Sequence, residues 1–340
     1  KIQGGGGNSL SYLLSMIAMF GLVLKVSAEG EVVDLKGQSV SSANFGEYQN
    51  KIITNGELTL TASPSAATAG KYTIGSDAVV KYAGGPGFSG DWDFNIIDGG
   101  VFEQTKESDG RFLIPFYYGK ASFILNNGTF KSVDDSRSNN AETLSFGVIW
   151  INNSGAKDKD ISANVKILNN SKIELTRGQL RIGGARAAGD KKPKTLKVDF
   201  AVEDSSIYVA KEIKFGVSNS GWLQNAGESY VKATFGKNSD ITCKQFYADG
   251  NNPSPSVTFD GATFHWLEGG NSFIGHNKVG DIYTIAKGGL TVDIPKEKSL
   301  TCDSNASSLK GEGGITKIGE GSITWNQVSS QGSPGMTFTG

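Results

Sequence analysis

With 340 residues, 46 glycines against only 8 prolines, and 33 Lys plus Arg nearly balancing 34 Asp plus Glu, the chain lies outside the low-complexity range and lacks the basic footprint of a nucleic-acid-binding protein. No nucleic-acid partner is expected. All-β and repeat architectures run to this length as one continuous core, and the glycine-rich, proline-poor composition favours that arrangement over two domains.

The first element is an address. Residues 10–24 (LSYLLSMIAMFGLVL) are uncharged and mostly apolar, follow Lys1, and precede the small-residue pattern Val26-Ser27-Ala28. This predicts a secretory signal peptide over residues 1–28, cleaved after Ala28. The run is shorter than the about 17–25 residues that span a bilayer, and no later segment is apolar enough, so no other membrane span is expected.

Past residue 50 the chain returns to one phrase, a corner of Asn, Asp, Gly or Ser followed by a short alternating apolar strand. It occurs as NGELTL (55–60), SDAVVKY (76–82), the weaker DGGVF (98–102), NNGTF (126–130), NNSKIEL (169–175), EDSSIYV (203–209), KNSDITC (237–243), FDGATFHW (259–266), GGLTVDI (288–294) and GEGSITW (319–325). The first apolar residues of these copies are Leu58, Val79, Val101, Phe130, Ile173, Ile207, Ile241, Phe264, Leu290 and Ile323, in steps of 21, 22, 29, 43, 34, 34, 23, 26 and 33 residues. A floor near 21 with a variable excess predicts a turn of constant length carrying loops of different sizes.

Before several corners lies a second strand with the same alternation: Val165 and Ile167, Val198 and Phe200, Ala233 and Phe235, Val257 and Phe259. Side chains alternate across a strand, so these residues share a face with the pairs after the corner, Ile173 and Leu175, Ile207 and Val209, Ile241 and Cys243, Phe264 and Trp266. Lys166, Lys197, Asp199 and Lys232 fall on the opposite, outward face. Helical periodicity is absent after residue 30. The pattern predicts an all-β fold, a right-handed parallel β-helix (β-solenoid) of about ten rungs over residues 29–340, with loops of variable length.

Candidate chemistry follows in chain order. Asp91 and Asp93 (GDWDFN), and Asp134 with Asp135 (SVDDS), are the carboxylates that a glycan-cleaving enzyme could use. Such an enzyme needs two carboxyl groups across one bond, about 5–9.5 Å apart, and adjacent aspartates on a strand point to opposite faces. The basic segment 177–197, with Arg177, Arg181, Arg186, Lys191, Lys192, Lys194 and Lys197, is expected to project between rungs as a solvated loop. Cys243 and Cys302 stand at inward spacings about two rungs apart, too far for a disulfide, and are expected to be buried thiols. His265, between Phe264 and Trp266, is expected to face solvent alone, and His276 has no second ligand at metal-binding spacing. No catalytic, cofactor-binding or metal-ligating set is assigned.

The last element carries a resemblance. Gly313-Gly314-Ile315-Thr316-Lys317, then Gly319-Glu320-Gly321, then Ser322-Ile323-Thr324-Trp325 read as turn, strand, turn, strand. With the ending Thr337-Phe338-Thr339-Gly340, this stretch resembles the autotransporter-associated β-strand repeat over residues 313–340. The resemblance implies an exported bacterial β-solenoid, often the passenger of a type V autotransporter, which continues beyond Gly340 and brings no catalytic residues with it. The expected role is structural or adhesive, as a secreted or cell-surface adhesin whose partners are glycans, other surface proteins or copies of itself. The alternatives are a pectin-lyase-like polysaccharide-active enzyme and a carbohydrate-binding module.

Overall fold

A computed structural model describes residues 30–338 apart from 43, 62–68, 83–89, 106–111, 115–117, 133–141, 150–157, 177, 186–192, 217–227, 249–254, 269–273, 277–281, 303–308 and 326–335. The expected signal peptide therefore lies outside the described residues. Within them the fold is all-β, and the single helical element is a short 3₁₀ turn over Phe45–Tyr48.

Alternation along each strand sends every second side chain inward, and that parity is kept from one strand to the next by parallel pairing. Every strand pairing among the described residues is parallel. The strands stack into ladders. The first ladder begins with residues 31–34 and 51–54 and continues through Lys71–Ile74, Trp92–Ile97, Gly119–Asn126, Asp160–Leu168, Thr195–Val202, Tyr230–Phe235, Pro255–Phe259, Tyr283–Ile285 and Leu309–Gly311. The second ladder, reached round a corner, begins with 38–42 and 56–60. It continues through Ala78–Tyr82, Val101–Gln104, Thr129–Ser132, Lys172–Leu175, Ser206–Val209, Asp240–Cys243, Ala262–Trp266, Leu290–Asp293, Ile315–Ile318 and Met336–Phe338.

A third ladder was not expected from the sequence. It holds Phe112–Ile114, Glu142–Ile149, Gln179–Ala185, Glu212–Phe215, Gln245–Ala248 and Ile274–His276, with a separate pair formed by Ser299–Cys302 and Ser322–Trp325. The chain thus visits the ladders in turn and returns one strand spacing further on, an arrangement consistent with a β-solenoid.

The register agrees with the expectation at its centre. Ile173 pairs with Ile207, and Ile207 with Ile241. The full inward row of the second ladder is Leu58, Val80, Phe102, Phe130, Ile173, Ile207, Ile241, Phe264 and Val292, none more than 1% exposed. Four expected members are corrected. Val79 and Val101 pair with each other on the outward side, because consecutive apolar residues in AVV and VF leave parity undecided in sequence. Leu290 pairs with Ala262, two residues from the Phe264 row. Ile323 pairs with Leu300 in the separate strand pair, while the second ladder continues through Ile315. The terminal motif is nonetheless strand, turn, strand, with Gly319 at φ 76° between Ile315–Ile318 and Ser322–Trp325.

The corner between the first two ladders explains the Asn/Asp signal. Asn55, Asp77, Asp98, Asn127, Asn170, Asp204 and Asn238 all take positive φ, between 47° and 62°. Asn and Asp tolerate this left-handed conformation better than other side-chain-bearing residues. Their side chains also link turns, as in Asn238 Nδ2 to Asp204 Oδ1 at 2.7 Å and Asn169 Nδ2 to Asn126 Oδ1 at 2.6 Å. The inside of the corner is a file of small buried residues, Gly100, Gly128, Ser171, Ser205 and Ser239. At Gly128 an added Cβ would sit 2.3 Å from the Ile96 carbonyl oxygen. Ser239 instead donates its hydroxyl to Val202 O at 3.0 Å, so the buried polar atom is satisfied.

The interior is filled by a file of aromatic rings. Phe45 stacks on Tyr72 with centroids 4.3 Å apart and lies 6.4 Å from Phe94. From Phe94 the file runs through Phe123, Phe146, Phe200, Phe235 and Phe259 to Tyr283, each ring within 6.5 Å of the next. The 3₁₀ turn places Phe45, 2% exposed, over the end of this file. In the register, Lys51 precedes Tyr72 in the same row, so without Phe45 an apolar end would face water.

Candidate functional site

The interior is mostly apolar, with a few small or amide side chains such as Gln104, Ser132 and Ser171, and the outward rows carry the charged groups. On the first ladder one outward row reads Lys71, Asp93, Ser122, Asn164, Asp199, Lys232, one residue per strand. The row two residues earlier reads Lys120, Ser162, Lys197, Tyr230, and the row two residues later includes Ile124, Lys166 and Ala201. Short side chains at Ser122, Ser162 and Asn164 lie between bulkier groups, Lys71 and Asp93 on one side and Asp199 and Tyr230 on the other. The result is an open groove of about 900 Å³.

Its charged groups are fixed by different means. Asp91 Oδ1 accepts from the backbone N–H of Lys120 at 2.8 Å. Asp199 Oδ2 accepts from the Tyr230 hydroxyl at 2.7 Å, and Lys232 Nζ stands 4.6 Å from the Tyr230 ring centroid. The hydrogen bond to Asp199, then partial burial, raises the Tyr230 phenol above its ordinary pKa. Among the described residues the lysine–carboxylate pairs lie elsewhere, such as Lys81 with Glu57 at 2.6 Å and Lys131 with Glu103 at 2.7 Å, and none involves Lys71, Lys120, Lys166 or Lys197.

The sequence-predicted carboxylates are only partly brought together. Asp93 and Asp199 share a row but stand three strand spacings apart, about 14 Å, beyond the separation that serves glycosidic cleavage. Asp91 is already engaged at the groove edge. Asp134 and Asp135 lie outside the described residues.

The basic segment is not one projecting loop. Arg181 is on the third ladder in a row with Lys214 and Tyr247, where Lys214 Nζ lies 5.5 Å from the Tyr247 ring centroid, and Lys197 is on the first ladder. Strand pairing claims both because Leu180, Ile182, Leu196 and Val198 alternate inward around them. Residues 177 and 186–192 lie outside the described residues, and Lys194 is exposed.

His265 does face outward, but not alone. Its Nδ1 lies 2.9 Å from Asp293 Oδ2 and its Nε2 lies 3.6 Å from Asp240 Oδ1. Stacked strands bring these carboxylates to opposite ring nitrogens, so they do not converge on a common point. No group of three His, Cys, Asp or Glu side chains among the described residues is arranged to hold a metal ion. His276 pairs with Ala248 on the third ladder, and its side chain lies outside the description.

Cys243 is a free thiol, fully buried, with Sγ 3.6 Å from Gln245 O, and burial pushes its pKa well up. Cys302 is on the Ser299–Cys302 strand paired to Ser322–Trp325, and its side chain is not described. In a Cys302→Ser background, Cys243 is expected to resist iodoacetamide at pH 8 in the folded chain and to react once the chain is denatured. Rapid alkylation without unfolding would contradict the interior assignment.

The groove itself was hidden in sequence because its residues come from six strands spread from Lys71 to Tyr230. The signal was the outward placement of Lys166, Lys197, Asp199 and Lys232, which aligns into rows only when the register is known. Among the described residues no helix is long and apolar enough to cross a membrane. Comparison of the chain with protein families, curated proteins and solved structures finds no match.

Proposed function

We propose that this chain is an exported, surface-displayed β-solenoid with a structural and adhesive role, built as a right-handed β-helix of about ten rungs and about 45–50 Å long. The observation that carries the reading is the parallel pairing of every described strand, which separates a mostly apolar interior from outward rows with one residue per strand. Such a rod holds its shape whatever its outward residues are, so its faces and variable loops are free to make contacts. The uncharged run at residues 10–24 and the resemblance of residues 313–340 to the autotransporter-associated repeat support export of a bacterial passenger-like protein. Glycans, other surface proteins and further copies of the chain are the partners this reading admits.

Small-angle scattering of the purified chain, together with antibody labelling of intact cells that express it, tests the proposal. An elongated pair-distance profile with surface labelling is expected. A compact, near-spherical profile, or label reached only after permeabilisation, would overturn it.

A further inference from the structure

We infer that the groove on the first ladder binds a linear polysaccharide whose repeating sugar carries a carboxylate. The inference deepens the adhesive reading above and rests on it.

Charge balance within the outward rows is the first argument. On the second ladder the row Lys81, Glu103, Lys131, Glu174 alternates in sign, and Lys81 and Lys131 each have a carboxylate partner. Across the groove Lys71, Lys120, Lys166 and Lys197 have none among the described residues, Asp91 and Asp199 accept from a backbone N–H and from the Tyr230 hydroxyl, and the exposed Asp93 stands beside Lys71 at one end, away from Lys120, Lys166 and Lys197. Lys120, Lys166 and Lys197 surround Ser122, Ser162 and Asn164 on adjacent strands. This is a patch of ammonium groups over a floor of short hydrogen-bonding side chains, suited to a ligand that presents carboxylates and hydroxyls together.

Shape is the second argument. Equivalent positions recur at about 4.8 Å intervals along the groove, and the groove is open rather than enclosed. Lys120 and Lys197 share one row with Ser162 between them, two strand spacings or about 9.6 Å apart, and a polymer that repeats a carboxylate along its length reaches both where a compact molecule does not. The half-buried Tyr230 ring, held by Asp199 and Lys232, supplies an apolar face at one end.

The test is calorimetric titration of the full chain with β-1,4-linked hexamannuronate and with β-1,4-linked mannohexaose. The two sugars differ only in carrying a carboxylate or a hydroxymethyl group on each ring. Hexamannuronate is expected to bind about tenfold or more tightly than mannohexaose, and to weaken as salt is raised. Lys120→Gln combined with Lys197→Gln should lose about tenfold or more for hexamannuronate and leave mannohexaose unchanged. Equal binding of the two sugars, salt-insensitive binding, indifference to the lysine changes, or no hexamannuronate binding would each overturn the inference. Should the double variant melt early, Lys166→Gln and the salt series on the unaltered chain decide. A rod that labels at the surface and adheres, yet ignores hexamannuronate, leaves the adhesive reading standing without this inference. Hexamannuronate binding by a chain that never reaches the surface does the reverse.

Discussion

Ile207→Asp is expected to remove about 4 kcal/mol or more of stability. Ile207 is 1% exposed and pairs with Ile173 before it and Ile241 after it, so every inward neighbour in its row is apolar. An aspartate there has neither water nor a cationic partner. It must bury an unpaired charge or take up a proton, and either is costly. Glu174→Gln, exposed on the outward side of the neighbouring strand, should change stability by under about 0.5 kcal/mol. Urea denaturation followed by circular dichroism compares them. If the two midpoints shift alike, position 207 is not interior and the register is wrong.

Phe123→Ala is expected to cost about 3–5 kcal/mol. The ring of Phe123 is fully buried and lies where the ladders meet. It is 5.6 Å from Phe94 on the same ladder, 6.1 Å from Phe130 on the second and 4.9 Å from Phe146 on the third. Truncation removes the apolar burial and the ring–ring contacts and leaves a cavity that the backbone ladders, fixed by hydrogen bonds, cannot close. Phe123→Leu retains most of the volume and should cost under about 1.5 kcal/mol. Thermal melts of both variants beside Tyr208→Ala, whose side chain is exposed, check this. A Phe123→Ala melt no lower than that of Tyr208→Ala would mean that the three ladders do not share one core.

Much of the fold was legible where sequence obeys a strict rule. Period-two alternation at Ile173/Leu175, Ile207/Val209 and Ile241/Cys243 identified inward residues correctly because each is separated by a polar or aromatic outward neighbour. The corner was legible because positive φ restricts it to Asn, Asp and Gly. Parity failed at Val79 and Val101, where two apolar residues are consecutive and either could face in. Three strands of the third ladder were missed because they follow the second with little between them: only Lys244 separates Asp240–Cys243 from Gln245–Ala248, and two residues separate Ser206–Val209 from Glu212–Phe215. A bend that brief leaves no turn signature. The groove was least legible, since its residues become neighbours only through pairing across loops of unequal length, and single-chain patterns carry no information on which outward residues share a row. His265 shows the same effect, having acquired Asp240 and Asp293 as neighbours from two other strands.

The stacking direction of the ladders also decides how such a rod would bear load. Inter-strand hydrogen bonds lie along the long axis, whereas the covalent backbone runs across it. Tension applied between the two ends therefore acts on one strand layer at a time, peeling the terminal coil while the rest stays folded, rather than shearing all layers at once. The slack released by each event is set by the length of chain between paired strands: 22 residues from Val80 to Phe102, and 43 from Phe130 to Ile173. Unequal spacing along the chain thus becomes unequal extension under load, and the coil from Phe130 to Ile173 would release about twice as much chain as the one from Val80 to Phe102 before the next layer is tested.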